Sequence, residues 1–164
     1  MKILYGVQGT GNGHITRSSL LIPILRDMGH EVEVIISGRN KTNFFDIEIL
    51  KPFEIKKGIT FITSKGEVKI FKTALDLSAI EFIKDVRGRD LNNIDLVISD
   101  YEPITAWMAK IKNKTSMGIA HQYAFKYNIP IFGDNFFTRL IMNNIAPVEI
   151  EIGIHWYHFN QPLL

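Results

Sequence analysis

The feature that most constrains this chain is its rhythm, in which short apolar runs of strand character alternate with longer segments of helical spacing. Runs at 3–7, 32–36, 96–98 and 116–120 read as buried strands. Over 14–28, Ile15, Leu20, Leu21, Ile24, Leu25 and Met28 keep helical spacing, and Pro23 predicts a kink or an early break. Segment 40–57 is less regular and reads as a short helical or irregular crossover stopped by Pro52. Residues 59–63 and 68–71 suggest a strand and hairpin return around Ser64-Lys65-Gly66, followed by a helix over about 72–87. Two further helices, 104–111 and 136–145, lead to a last strand at 148–154. No repeat, low-complexity stretch or linker divides the chain. The expected fold is therefore α/β: a Rossmann-like, doubly wound, mostly parallel sheet with helices on both faces, formed as a single domain over 1–164. Such sheets bind ligands at the carboxyl ends of their strands, where strand order reverses, which here means between the first strand and the fourth.

Composition removes several alternatives. With 164 residues, 46% hydrophobic and 11% aromatic, the chain can bury a core and is not disordered. It has no cysteine, which excludes disulfide scaffolds, thiolate zinc sites, iron–sulfur clusters and cysteine nucleophiles. A net charge of +2, from 19 Lys+Arg against 17 Asp+Glu, is too balanced for whole-surface nucleic-acid binding, so no nucleic-acid partner is expected. No run reaches the ~18 apolar residues of a membrane span, and the N-terminus lacks the pattern of a signal peptide. The chain reads as cytoplasmic. Its end is unusual: an aromatic stretch over 152–159 precedes Asn160-Gln161-Pro162-Leu163-Leu164, where a polar, frayed terminus is the norm. Something is expected to follow or dock there.

The loop after the first strand, Gly9-Thr10-Gly11-Asn12-Gly13-His14, is the most informative stretch. Closely spaced glycines between strand and helix let a backbone approach a ligand, and the helix N-terminus offers free amides to a phosphate or developing anion. The plain alternative is a tight turn needing positive φ. A Walker loop is excluded, because Gly6-x4-Gly11 is followed by Asn12 and no lysine. A dinucleotide fingerprint fails too: His14 stands where the third glycine belongs, and Ser37-Gly38-Arg39 replaces the ribose-binding acid. Arg39 facing a 2′-phosphate keeps an NADP-linked oxidoreductase as an alternative.

His14 begins its helix at the mouth of the crevice. Imidazole titrates near neutrality, and a helix N-terminus disfavours the imidazolium, so the ring suits a general base. Asp100, at the end of the fourth strand, should fall opposite it; a carboxylate behind a histidine fixes its tautomer and steadies the charge that forms. Glu102 could serve instead or contact a hydroxylated ligand, and both acids could equally cap the helix at Pro103. His121 and Gln122 follow the fifth strand and are candidates for substrate contact. His155 and His158 have i, i+3 spacing but no third ligand, so no metal site is expected.

The opening strand and Gly9–His14 loop resemble the start of the GT-B glycosyltransferases. The closest branch is that of the lipid II-forming N-acetylglucosaminyltransferase and monogalactosyldiacylglycerol synthase, whose loop is of Gly-Gly-Thr-Gly-Gly-His type. Asn12 departs from it. Ser99-Asp100-Tyr101-Glu102-Pro103, His121-Gln122 and Gly153-Ile154-His155-Trp156 resemble a group of uncharacterised glycosyltransferases in the same superfamily, so that the likeness covers essentially the whole chain. The resemblance implies an inverting, metal-independent transfer from a nucleotide-sugar, by type a UDP-sugar, to a hydroxyl acceptor, with no cofactor. It implies that His14 deprotonates the acceptor, that Asp100 steadies His14, and that Gly9, Thr10, Gly11, Asn12 and Gly13 border the acceptor and the donor's diphosphate. In this superfamily a second domain holds most of the donor, and it is absent from these 164 residues. The chain is thus expected to be an acceptor-binding half, inactive alone, whose donor-binding domain lies in cis or in a separate chain; a non-catalytic subunit is the alternative. Segment 51–72 carries six lysines against Glu54 and Glu67, with Phe53, Phe61 and Phe71 between them. That pattern suits either a solvated edge hairpin or peripheral contact with an anionic membrane, at its inner face and with a lipid-linked acceptor.

Overall fold

The structure, a computed structural model, describes residues 1–39, 44, 47–58, 63–64, 67–68, 78–130 and 136–164. The chain opens with β1 (Lys2–Gln8), buried from Ile3 onward, and turns through the glycine loop into α1 (Asn12–Asp27). Gly29, at φ +85°, makes the left-handed turn that releases the chain into β2 (Glu31–Ser37). A 3-10 turn (Glu48–Leu50) leads to β3 (Phe53–Lys56). Two short antiparallel strands, β4 (Thr63–Ser64) and β5 (Glu67–Val68), then precede α2 (Ser78–Gly88). The remaining elements are β6 (Leu96–Asp100), α3 (Pro103–Ile111), β7 (Ser116–Ala120), the single-turn α4 (His121–Ala124), α5 (Phe136–Ile145) and β8 (Ile150–Gly153).

Six of the strands form one sheet in the order β3-β2-β1-β6-β7-β8, every pairing parallel. This is the doubly wound order, and the sequence in which strands are added to the sheet reverses between β1 and β6. The register is tight there: Gly6 lies opposite Ser99, and Val7 opposite Asp100. Each face of the sheet buries its own core, as a parallel sheet requires. On the α1 face Tyr5, Val7, Val34, Ile36 and Ile98 pack with Ile15 and Ile22. On the other, Leu4, Ile35 and Val97 pack with Val86, Leu91, Ile104 and Met108.

Two expectations are corrected. Pro23 does not break α1, which runs unbroken to Asp27; the ring costs the Ser19 carbonyl its partner, but the helix is held by its buried face of Ile15, Ser18 and Ile22. Segment 40–57 is not simply a crossover, because it contains the edge strand β3, whose Val34–Phe53 to Ser37–Lys56 pairing adds a strand beside β2. Pro52 sits just ahead of that strand, where the missing N–H breaks no ladder bond. The expected strand at 59–63, the helical start at 72–77 and the hairpin return at 69–71 lie outside the described residues, apart from Thr63.

Candidate active site

The crevice between β1 and β6 gathers side chains from two helices, α1 and α4, and from the two strands themselves. His14 enters from the first turn of α1, and its Nδ1 lies 2.6 Å from Oδ1 of Asp100, the last residue of β6. Two lone pairs at that distance would repel, so the hydrogen-bond network assigns a proton to Nδ1, donated to the carboxylate. Gln122, in α4, places its amide Nε2 3.3 Å from His14 Nε2, where it donates to the ring's lone pair. The Gln122 Oε1 is buried without a hydrogen-bond partner. His14 keeps 13% of its side chain exposed, whereas Asp100 is fully buried.

Asp100 is more heavily engaged than its sequence position suggests. Arg17, one turn after His14 on the same helix face, donates from Nε to Asp100 Oδ2 at 2.9 Å and from Nη2 to Oδ1. Ser18 Oγ donates to Oδ2 at 3.2 Å. The Arg17 Nη2 also lies 3.1 Å from His14 Nδ1. Beneath them the Tyr5 hydroxyl is buried; burial first, and then the Asp100 charge, push its phenol up. Sequence reasoning missed Arg17 and Ser18, although their i+3 and i+4 spacing from His14 was the available signal.

The glycine loop is not built for a strained turn. Among the described glycines the positive φ values belong to Gly29, Gly38 and Gly58, not to Gly9, Gly11 or Gly13. Gly9 is demanded by packing, since a Cβ there would lie 2.6 Å from the Phe44 ring and 2.8 Å from the Ser37 carbonyl. At Gly13 a Cβ would meet nothing within 4 Å, and at Gly11 only the His14 ring edge at 3.5 Å. Gly11 caps α1 without a side-chain hydrogen bond, and no acid sits in the first turn, so the helix end presents its amides and dipole. Arg39 donates to the Thr10 carbonyl at 2.8 Å and to Asn12 Oδ1 at 3.1 Å. The guanidinium reserved for a 2′-phosphate in the dinucleotide alternative is spent bracing the loop.

Glu102 does not join the site, which corrects the expectation that it contacts ligand. It is fully buried at the N-cap of α3, accepting from Ile104 N at 2.8 Å, Thr105 N at 2.7 Å, Thr105 Oγ1 at 2.7 Å and Ser37 Oγ at 2.6 Å. Burial pushes its carboxyl up from the ordinary range, and the four donors, Ser37 foremost, offset that only in part. His121 belongs to a different group: its Nδ1 lies 2.8 Å from the Ile154 carbonyl and its ring stacks on His155 at 5.0 Å. His155 and His158 each accept a local backbone N–H, from Tyr157 at 3.2 Å and Asn160 at 2.9 Å. Among the described residues no three His, Asp or Glu side chains are placed to hold a metal ion, and no helix is long and apolar enough to cross a membrane. Of the lysines in 51–72, Lys51 pairs with Glu48, Lys56 with Asp85 at 3.3 Å and Lys57 with Glu81 at 3.4 Å; Lys65, Lys69 and Lys72 lie outside the described residues.

A family model described as glycosyl transferase family 1 matches residues 1–149. The chain belongs to that family. Its six-stranded parallel sheet with helices on both faces has the fold of a GT-B half domain. Among solved structures it is similar to MurG of Acinetobacter baumannii, with a TM-score of 0.52 and 13% identity over 99% of this chain and 44% of that one. Also similar are the Streptomyces sp. SF2575 glycosyltransferase SsfS6, at 14% identity, TM-score 0.44, and 75% and 40% coverage, and the glycosyltransferase VinC in complex with dTDP, at 18% identity, TM-score 0.40, and 73% and 34%. No curated protein matches the sequence. This glycosyl transferase family 1 chain thus spans less than half the length of the solved relatives it resembles.

Proposed function

We propose that the chain is the acceptor-binding half of an inverting, metal-independent glycosyltransferase in which His14 is the general base. The observation that carries the reading is the His14–Asp100 pair at the strand-order reversal, 2.6 Å apart, beside a glycine loop whose Gly13 opens onto free space. The acceptor hydroxyl donates its proton to His14 Nε2, and its oxygen forms a bond to the anomeric carbon. The bond from that carbon to the nucleoside diphosphate breaks on the opposite face, and the diphosphate leaves with the electron pair. The Nδ1–H to Asp100 bond holds the ring with Nε2 toward the acceptor and steadies the imidazolium that forms. Gln122 marks where the hydroxyl oxygen sits, since an amide that donates to Nε2 can donate to that oxygen instead. Gly9, Thr10, Gly11, Asn12 and Gly13 border the acceptor and the diphosphate, which the amides at the start of α1 attract.

The donor is a nucleotide-sugar, taken here as a UDP-sugar, held mainly by a second domain in cis or in a separate chain. The 44% coverage of the MurG chain supports that division. The test joins this chain to its donor-binding half and measures transfer to a hydroxyl acceptor with and without EDTA. His14→Ala is expected to lower turnover about 10²- to 10⁴-fold, as for loss of a positioned base, with EDTA immaterial and the anomeric configuration inverted. Near wild-type turnover in that variant removes His14 from the mechanism, and a retained configuration removes the single-displacement reading.

A further inference from the structure

A fully buried carboxylate needs a counter-charge, and the base reading of His14 requires that the histidine not be the group supplying it. Asp100 has no exposed surface, and a neutral imidazole brings no charge to it. An Asp100–His14 pair standing alone in this crevice would resolve the problem by taking up a proton, either on the ring or on the carboxyl. Either outcome spends the base: an imidazolium cannot accept, and a neutral carboxyl cannot steady the charge that forms. The structure holds a third member that removes the conflict. Arg17 lies side-on to Asp100, Nε to Oδ2 and Nη2 to Oδ1, so that its guanidinium neutralises the carboxylate through two directed bonds. Its Nη2 also sits 3.1 Å from His14 Nδ1. Since Nδ1 carries a proton toward Asp100, that contact sets two donors against each other, and it is more repulsive when the ring is charged.

We propose that Arg17 is the positioning residue that keeps His14 neutral at rest: it supplies the counter-charge of the buried Asp100, so the ring retains an open lone pair on Nε2. The functional meaning of this inference rests on the reading of His14 as a base, but the placement of the proton does not. The groups facing the ring are Arg17 and Ser18 of α1, Asp100 of β6 and Gln122 of α4, with the Tyr5 phenol of β1 close to Asp100. Arg17 is the only cation in that set. Lysine would not be equivalent, because a point charge lacks the planar fork that meets both carboxylate oxygens.

The test is made on this chain alone, by long-range proton–nitrogen NMR of the histidine rings at pH 7, with His14 assigned by its loss in His14→Gln. In the wild type His14 should be neutral with its proton on Nδ1. In Arg17→Met the ratio of imidazolium to imidazole at His14 should rise by about tenfold to a thousandfold, the effect of an uncompensated neighbouring charge. In Arg17→Met/Asp100→Asn, where no buried charge remains, the ring should return to neutral, which a merely structural role for Arg17 does not predict. Arg17→Lys should fall between wild type and Arg17→Met, and decides the matter should Arg17→Met not fold. A ring as neutral in Arg17→Lys and Arg17→Met as in the wild type overturns the proposal, as does one that stays charged in the double variant. Because no sugar is transferred in this experiment, its failure is separate from failure of the glycosyl-transfer reading, which the joined-domain assay addresses.

Discussion

Two glycines on opposite faces of the sheet should respond to alanine in opposite ways. Gly13 lies in the first turn of α1, has no positive φ, and offers an added Cβ nothing to strike within 4 Å. Alanine there restricts the unfolded chain and favours helix, a gain of about 0.5–1 kcal/mol. For a chain of this size that raises Tm by roughly 1–4 °C. The same methyl protrudes where the glycine loop is expected to receive ligand. Crowding a fitted site costs about 1–3 kcal/mol, so kcat/KM of the joined enzyme should fall about 5- to 150-fold. Gly6 is the control. A Cβ on it would come within 1.9 Å of Thr105 Oγ1 and 2.8 Å of Glu102 Oε2, both buried, so Gly6→Ala should lower Tm substantially through overpacking. Scanning calorimetry reads the first effect and steady-state transfer the second. A Gly13→Ala enzyme with unchanged kcat/KM would refute the argument that this open position exists for a ligand, and a lowered Tm would refute the loop geometry beneath it.

Glu102→Gln should destabilise without harming the chemistry: its new NH2 must face a pair of donors, and each buried donor left unpaired costs about 1–3 kcal/mol. Retained Tm in that variant would contradict the four-donor cap. Leu20 and Ile24 of α1 and Met28 at its C-cap form an exposed i, i+4, i+8 stripe, 66%, 53% and 66% accessible. Replacing Leu20 and Ile24 by Lys should reduce self-association and dye binding while stability stays within about 0.5 kcal/mol, and a larger loss on denaturant unfolding would mean the stripe is packed. If segment 51–72 touches an anionic membrane, co-sedimentation with vesicles should rise with phosphatidylserine content and fall with salt. Binding indifferent to both would leave the lysines as a solvated edge, in keeping with the pairing of Lys51, Lys56 and Lys57 to acids.

What was legible in the sequence is what depends on periodicity. The apolar runs at 3–7, 32–36 and 96–98 became central strands because they are largely buried on both faces, which leaves an unmistakable composition, and 116–120 lies inside the sheet with alternate residues buried. β3 was hidden because an edge strand of four residues, Phe-Glu-Ile-Lys, is only half-buried and carries charge at alternate positions. Topology then put His14 beside Asp100, since the doubly wound order makes β1 and β6 neighbours. Arg17 could not be found that way: its i+3 spacing puts it on the His14 face of α1, but its role shows only once the carboxylate it meets, 83 residues away, is placed.

The separation of Asp100 from Glu102 is the plainest case of information that lies outside propensity. Two carboxylates two residues apart on a continuing strand would share one face of the sheet. Here they part company because Tyr101, between them, takes a left-handed φ of 54°. That conformation costs a non-glycine residue about 1–2 kcal/mol, and no sequence rule puts a tyrosine there. It is held by tertiary contacts: the Tyr101 hydroxyl donates to the Met142 carbonyl at 2.9 Å, its ring meets Tyr123 edge-on at 5.4 Å, and Ser99 Oγ accepts from Glu102 N at 2.8 Å to close the turn. The consequence is a division of labour between two like side chains. Asp100 emerges on the α1 face and meets the histidine, while Glu102 is driven under the first turn of α3, where it ties the end of β2 to the end of β6 through Ser37. One strained residue thereby sends one acid to the histidine and the other to holding the crevice in shape.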